Sequence, residues 1–108
     1  MTETGEIILA WLKDEFPKQL WNNHERADYN YANGTQDVIE CLSANIGGVD
    51  IELKIAKDLT IGIYTKTPFK SASKVREVRL TDPTSITGLQ EVVKHIIRFT
   101  TNPYWTQG

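Results

Sequence analysis

The chain contains 108 residues, of which 40% are hydrophobic and 24% are charged, and its formal net charge is −2. These values exclude a fibrous or intrinsically disordered chain and are typical of a small globular domain. The single cysteine excludes an internal disulfide framework, and no segment approaches the roughly 20 apolar residues that a membrane span needs. We predict one domain over residues 1–108, and we expect it to be cytoplasmic because the acidic amino terminus has no basic signal-peptide region.

The charges are distributed unevenly along the chain. Residues 1–40 hold eight acidic and three basic side chains, whereas residues 66–79 hold five basic and one acidic side chain. We therefore expect a dipolar molecule with one basic loop. A dedicated DNA-binding domain usually has an overall basic footprint, so this distribution weighs against that class and leaves a local anion-binding segment open.

The first predicted element is an amphipathic helix near the amino terminus. Thr4 is the expected N-cap, with acidic side chains close to the positive end of the helix dipole. Pro17 lacks a backbone donor, so we expect the helix to kink or end at Phe16 and a short second turn to run through Trp21. The apolar positions recur at helical spacing: Ile7, Ile8, Trp11, Leu12, Phe16 and Leu20.

A polar stretch over residues 24–37 follows this helix. Asn33-Gly34 is the strongest local hairpin signal in the chain, because this pair readily adopts the positive φ angles of a tight turn. Residues 29–32 fit either a short edge strand before that turn or an irregular loop. The sequence favours neither of these alternatives.

The centre of the chain alternates apolar and polar residues, which is typical of strands with one buried face. Gly47-Gly48 supplies the two positive-φ positions of a two-residue turn, so Ile46 should lie opposite Val49. The same register places Glu40 on the buried face opposite Ile55, where an unpaired carboxylate is costly. We expect either a bulge there or a position at the rim of the sheet. The predicted strands are residues 36–46, 49–55 and 59–65.

The length of the turn after the second of these strands is predicted from the rule that apolar residues of paired strands lie opposite one another. A two-residue loop would place Ile55 opposite Thr60 and mix apolar with polar positions. A three-residue loop over 56–58, with Asp58 in the left-handed region, instead aligns Ile55 with Leu59. We predict the three-residue loop.

An exposed connection and a fourth central strand are predicted next. Residues 66–74 carry a proline and two serines, which suit a long surface loop. Residues 75–80 resume strand-like alternation, with Val78 and Leu80 pointing inward.

The last predicted element is a second amphipathic helix. It should start either at Asp82-Pro83 or about one turn later at Thr87, and Asn102-Pro103 should end it. We expect the aromatic tail at Tyr104-Trp105 to dock on the body beside the first helix, and the alternative is a free tail that binds a partner. The apolar face comprises Leu89, Val92, Val93, Ile96, Ile97, Phe99 and Thr100.

These elements predict the fold class. The sheet has one apolar face and each helix has one apolar stripe, so both helices should pack side by side on the same face of the sheet. We predict an α+β two-layer sandwich whose antiparallel meander sheet has four strands, or five if residues 29–32 pair. Such folds host many unrelated activities, so the fold class does not indicate a function.

No catalytic or metal-binding motif stands out from the sequence. His24, Glu25 and Asp28 are potential metal ligands within five residues, with His95 and Cys41 elsewhere in the chain, but their spacing matches no closed zinc pattern. Cys41 is out of register with the apolar positions, so we expect it on the open sheet face, without an adjacent cation to activate it as a nucleophile. We therefore predict no metal, no cofactor and no enzymatic activity.

The sheet face away from the helices is the predicted partner-binding surface. Gly62 in a strand interior would let a partner approach the backbone, and Tyr64 offers an aromatic anchor. We predict a small non-enzymatic binding or regulatory protein, such as an inhibitor, immunity-type factor or accessory factor, that acts by protein–protein contact or by homodimer formation. The residues assigned to this surface are Glu52, Lys54, Tyr64 and Arg79.

The alternative is a nucleic-acid-binding accessory protein that uses the basic loop over residues 66–79. Its basic side chains would track a phosphate backbone while an aromatic ring stacks on a base. The acidic residues 1–40 weigh against this alternative. The residues assigned to it are Lys66, Phe69, Lys70, Lys74 and Arg76.

Overall fold

The protein is a five-stranded antiparallel sheet with a helix at each end of the chain. The computed structural model describes residues 2–30, 32 and 34–101. The strands follow one another in the sheet in chain order, which makes a meander and confirms the predicted α+β class. The elements are α1 (Glu3–Glu15), β1 (Asn22–Asn30), β2 (Thr35–Ile46), β3 (Val49–Ile55), β4 (Thr60–Lys66), β5 (Ser73–Arg79) and α2 (Thr87–Thr101).

Both helices pack on the same face of the sheet, as predicted. Ile8 of α1, Leu53 of β3 and Leu89 of α2 belong to one continuous cluster of buried side chains. Lys94 of α2 also lies beside Glu15 of α1, with 3.6 Å between Nζ and Oε1, so the two helices are neighbours. The molecule is therefore a two-layer sandwich, and the opposite face of the sheet carries no helix among the described residues.

The turn between β2 and β3 is the one that the sequence predicts. Gly47 and Gly48 have φ angles of 61° and 86°, a region that residues with a Cβ adopt only at a cost. The resulting register pairs Ile46 with Val49, as expected, and alternates apolar and polar pairs along both strands. This hairpin determines which side chains point away from the helices.

The turn between β3 and β4 has the predicted length but lies one residue later. Leu59, and not Asp58, has the positive φ angle, at 67°. Asp58 instead accepts a hydrogen bond from the Thr60 backbone N–H through Oδ1, at 3.1 Å. The loop is therefore 57–59, and Ile55 pairs with Ile61 rather than with Leu59. A shift of two residues leaves the predicted inward set unchanged because the side-chain period of a strand is two.

The amino-terminal edge strand β1 is much longer than the short strand considered over residues 29–32. It pairs with β2 along nine residues, from Asn22 opposite Ser43 to Asn30 opposite Thr35. The side chains of residues 22–27 are all exposed, so no apolar alternation marks this strand in the sequence. The strand is defined by its backbone hydrogen bonds to β2 and not by burial of its side chains. Gly34, in the turn between β1 and β2, has the expected positive φ of 66°.

Helix α1 differs from the prediction at both ends. Its N-cap is Thr2, whose side chain accepts a hydrogen bond from the Gly5 backbone N–H, and Thr4 is buried inside the first turn. The helix ends at Glu15, and a single turn follows, as expected, in which the Gln19 backbone N–H donates to the Phe16 carbonyl at 3.2 Å. This turn ends before Leu20, which leaves the apolar stripe and is 83% exposed. The chain then runs through buried Trp21, whose Nε1 donates to the Phe16 carbonyl, into β1.

Glu40 is opposite Ile55 and buried, as the register predicts. Neither the expected bulge nor an exposed position at the rim of the sheet is present at this residue. The residue is only 4% exposed and the ladder around it has no bulge. Thr2 at the start of α1 donates two hydrogen bonds to the carboxylate instead. Charged acceptors buried in this way are tolerated only when such partners are present.

The carboxyl-terminal half selects one alternative and contains one correction. Val78 and Leu80 point inward as predicted, and α2 starts at Thr87, the later of the two expected positions, while Asp82 caps a separate turn. Phe99, expected in the core, is 48% exposed at the end of α2. A register shift beside Tyr64 leaves Val75 as an extra residue in β5, between Lys74 opposite Tyr64 and Arg76 opposite Ile63.

Two predictions concern the carboxyl terminus of the chain. The docking of Tyr104-Trp105 on the body and the helix stop at Asn102-Pro103 lie outside the described residues. Neither α1 nor α2 has the length and apolar character of a helix that crosses a membrane.

Candidate functional site

The face of the sheet away from the helices carries the candidate site. The register places Glu52 of β3 opposite Tyr64 of β4 and Lys54 opposite Gly62. Cys41 of β2 lies on the other side of Lys54. Because side chains alternate between the two faces of a strand, these five residues all point away from the helices. We refer to this surface as the open face.

Tyr64 is held in a defined position on the open face. Its ring lies over Gly62, where a Cβ would be 2.9 Å from the Tyr64 Cε1 atom. Lys54 Nζ is 4.4 Å and Lys74 Nζ is 5.9 Å from the ring centroid, both within the range of cation–π attraction. A side chain at position 62 would occupy the space of the ring, so glycine there permits this arrangement.

Lys74 is held beside the ring by a second contact. Its ammonium donates to Glu77 Oε1 at 3.0 Å. That hydrogen bond, followed by electrostatic interactions with Tyr64 and with the Glu77 carboxylate, raises the pKa of Lys74 above its ordinary value. Lys74 is therefore a cation at physiological pH, and it borders the ring on the β5 side.

Three basic groups surround the carboxylate of Glu52. Arg26 Nη2 and His24 Nε2 lie 3.6 Å and 3.8 Å from Oε2, and Lys54 Nζ lies 4.0 Å from Oε1. Pairs of this kind at a surface contribute little stability individually, but several around one carboxylate restrict its orientation. The result is an ordered charge pattern that joins β1 to β3 across β2.

A cleft of about 410 Å³ opens on this face next to Tyr64. Both signs of charge line it, because Arg26, Lys54 and Lys66 face Asp50 and Glu52. Asn45 donates to Asp50 Oδ1 at 2.8 Å and so fixes one end of the cleft. The cleft is open and its lining mixes charged, polar and apolar groups, so it suits a protruding polar or charged group that has an apolar stem.

The four residues assigned to the partner-binding surface are not all together. Glu52, Lys54 and Tyr64 line the cleft. Arg79 is opposite Thr60, four residues along β4 from Tyr64, which corresponds to about 13 Å at the rise of a strand. The cleft therefore contains three of the four residues, and Arg26 of β1 joins them without a signal in the sequence.

The basic segment assigned to nucleic acid is split between surfaces. Lys66 lines the cleft, and Lys74 is paired with Glu77 beside Tyr64. Arg76 lines a separate hollow against α2, on the helix side of the sheet. Phe69 and Lys70 lie in the connecting loop, where the Phe69 ring is 96% exposed. The five residues therefore do not form one continuous basic surface.

The potential metal ligands that are close in the sequence do not come together in the structure. Glu25 alternates to the opposite face from His24, His95 lies on α2, and the side chain of Asp28 lies outside what the structure describes. His24 instead joins Cys41 and Glu52, and one ligand atom from each lies within 4.8 Å of the others. Cys41 is on the open face as predicted, but it is 0% exposed beneath its neighbours. Contacts across neighbouring strands have no spacing signature, so this trio could not be predicted.

Comparisons with known proteins do not add to this geometry. Neither protein-family models, curated proteins nor solved structures match the chain. The chemistry available to the open face therefore follows from its own side chains.

Proposed function

We propose that the protein is a small non-enzymatic binding or regulatory protein of the cytoplasm, which acts by covering a partner protein with the open face. The observation that supports this proposal most is the fixed Tyr64 ring beside a charged cleft, on the sheet face that neither α1 nor α2 covers. Aromatic anchors next to clefts are the residues that carry most binding energy in protein interfaces.

Preorganisation of the Tyr64 ring favours this function further. The ring is already held by Gly62 and Lys54, so binding costs little additional side-chain entropy. The ordered charges around Glu52 would set the orientation of a partner, since complementary charges contribute mainly to specificity and association rate. A partner surface with both an acidic and a basic group fits the mixed lining of the cleft.

Matched capture experiments from the native host test this function. Tyr64→Ala should weaken binding of the captured partner by at least about tenfold, since an anchor of this type is worth about 2 kcal/mol or more. Phe99→Ala is the control, because it removes a half-exposed ring on the helix side. Equal affinity of both variants for the partner would contradict the proposal. If the partner is a second copy of this chain, sedimentation should show a dimer that Tyr64→Ala dissociates.

Nucleic-acid binding through the connecting loop is a second candidate function. One observation favours it: the almost fully exposed Phe69 lies in a loop with Lys70, directly after Lys66 at the end of β4. Each phosphate contact on duplex DNA should add about 0.9 to the slope of log affinity against log salt. Changing Lys66, Lys70 and Lys74 together to Ala should therefore reduce both affinity and slope, and an unchanged binding curve would exclude this function.

A further inference from the structure

His24, Cys41 and Glu52 bring three different ligand atoms together on three neighbouring strands. His24 of β1 is directly opposite Cys41 of β2, and Glu52 of β3 lies diagonally across from Cys41. The His24 Nε2 and Glu52 Oε2 atoms are 3.8 Å apart, and all three ligand atoms lie within 4.8 Å of one another. Cys41 forms the buried base of this group, while the His24 side chain is half-exposed.

These separations are close to those of a tetrahedral metal site. Zinc bonds of about 2.0–2.3 Å at tetrahedral angles place neighbouring ligand atoms roughly 3.3–3.7 Å apart. The largest separation here would have to shorten by about 1 Å, which a rotation of an exposed imidazole can supply. The rigid, buried member is Cys41, so adjustment falls on His24 and Glu52.

We propose that His24, Cys41 and Glu52 bind a divalent transition metal of the Zn²⁺ type, with at least one coordination position left to solvent or to a partner side chain. The donor set decides the class of metal, because a thiolate and an imidazole favour Zn²⁺ or Co²⁺ over the oxygen-seeking Mg²⁺ and Ca²⁺. This site goes beyond the partner-binding function, with which it shares Glu52, and its test does not depend on a partner.

Arg26 and Lys54 give the proposed site a distinctive signature. Both are cations near the Glu52 carboxylate, and Arg26 is on the same oxygen, Oε2, that faces His24. A metal on Oε2 must displace the half-exposed Arg26 side chain, whereas Lys54 can remain on Oε1. Removing the charge at Arg26 should therefore strengthen metal binding, an effect that a purely structural role of the trio would not produce.

Titration of the full chain with Co²⁺ tests the proposal. We expect saturable binding of one ion with a thiolate-to-cobalt charge-transfer band, weakening at lower pH because the ligands must be deprotonated. His24→Gln should raise the dissociation constant for Co²⁺ at least about tenfold. Loss of a residue that only hydrogen-bonds a metal ligand already lowers metal affinity about 10–100-fold, and loss of the ligand itself should cost more. Arg26→Gln should lower it. His95→Gln is the matched control and should bind Co²⁺ like the wild type.

The Co²⁺ titration does not require a variant of buried Cys41, which could fail to fold. The band itself reports the thiolate in the wild-type chain, and His24 and Arg26 are exposed enough to change without loss of the fold. Absence of the band, equal affinities of His24→Gln and His95→Gln, or weaker binding by Arg26→Gln would each overturn the proposal.

Discussion

Thr2 donates its backbone N–H and its hydroxyl to the two carboxylate oxygens of Glu40, at 3.1 Å and 3.0 Å. The same hydroxyl oxygen accepts the Gly5 backbone N–H at 3.0 Å, so it caps α1 while it binds β2. These hydrogen bonds link the first turn of α1 to the buried face of the sheet. They also satisfy a carboxylate that would otherwise be costly to bury.

Gly5→Ala should destabilise the protein because a Cβ at this position would overlap Glu40 Oε1. The Glu40 carboxylate would have to leave its two donors, and overpacking of this kind costs about 1–3 kcal/mol. Since 1 kcal/mol shifts the melting temperature of a small domain by about 4–8 °C, thermal unfolding measures the effect directly.

Gly88→Ala is the matched control for that change. Gly88 is also in the first turn of a helix, but nothing lies within 4 Å of its Cβ position. Alanine should therefore leave the melting temperature unchanged or raise it, since it is a better helix former than glycine by up to about 1 kcal/mol. Similar losses at both positions would show that the Glu40 contact does not matter.

Gly47→Ala should cost about 1–2 kcal/mol through backbone conformation alone. Its φ of 61° is left-handed, and nothing lies within 4 Å of the Cβ position, so no steric clash contributes. Gly47→Asn should recover most of the loss because asparagine tolerates this region. Chemical denaturation of the two variants separates the effects, and equal destabilisation would contradict the conformational explanation.

The hydrogen bonds of Asp82 should make the protein less stable in acid. Hydrogen bonds from the side chain of Thr84 and then from Ser85 hold the pKa of Asp82 below its ordinary value of 3.8. A lowered folded-state pKa means that the stabilisation is complete above 3.8 and is lost as the pH falls through the folded value. The melting temperature of Asp82→Ala should lie below that of the wild type at neutral pH, and the gap should close in strong acid. A gap that widened in acid would contradict this sign.

Gly62→Ala tests the position of Tyr64 separately from its presence. The new Cβ would lie 2.9 Å from the ring, which must then move away from its place above β4 and from Lys54. We expect partner affinity to fall while the melting temperature changes by only a few degrees, because the ring is at the flexible end of a side chain. Ring proton shifts of Tyr64 in NMR spectra check the displacement, and unchanged shifts would contradict it.

The sequence was most informative where the side-chain period decides the structure. A period of two assigns Ile61 and Ile63 to the core in either register, so the inward set is correct although the loop before β4 is displaced by one residue. The edge strand β1 was predicted only as a possible short strand over residues 29–32, for the opposite reason. Its residues 22–27 are exposed on both faces, so only the backbone ladder with β2 defines it.

The open face was predictable in part. Alternation alone identifies Glu52, Lys54 and Tyr64 as residues of this face, and all three line the cleft. Arg26 and His24 join Glu52 only because β1 pairs with β2 and β2 with β3, and such diagonal contacts leave no trace in sequence spacing. The two hydrogen bonds to Glu40 are likewise contacts between residues far apart in the chain.

Site-specific photo-cross-linking in the native host tests the central claim, that the open face binds a partner protein, most directly. A photoreactive residue would replace Lys66 or Asn22, which line the cleft, or the exposed Lys13 of α1 or Glu91 of α2 on the helix side. We predict one discrete cross-linked product from the two cleft positions, abolished when Tyr64 is also changed to Ala, and no such product from the helix positions. Products from Lys13 or Glu91 with none from the cleft would contradict the claim.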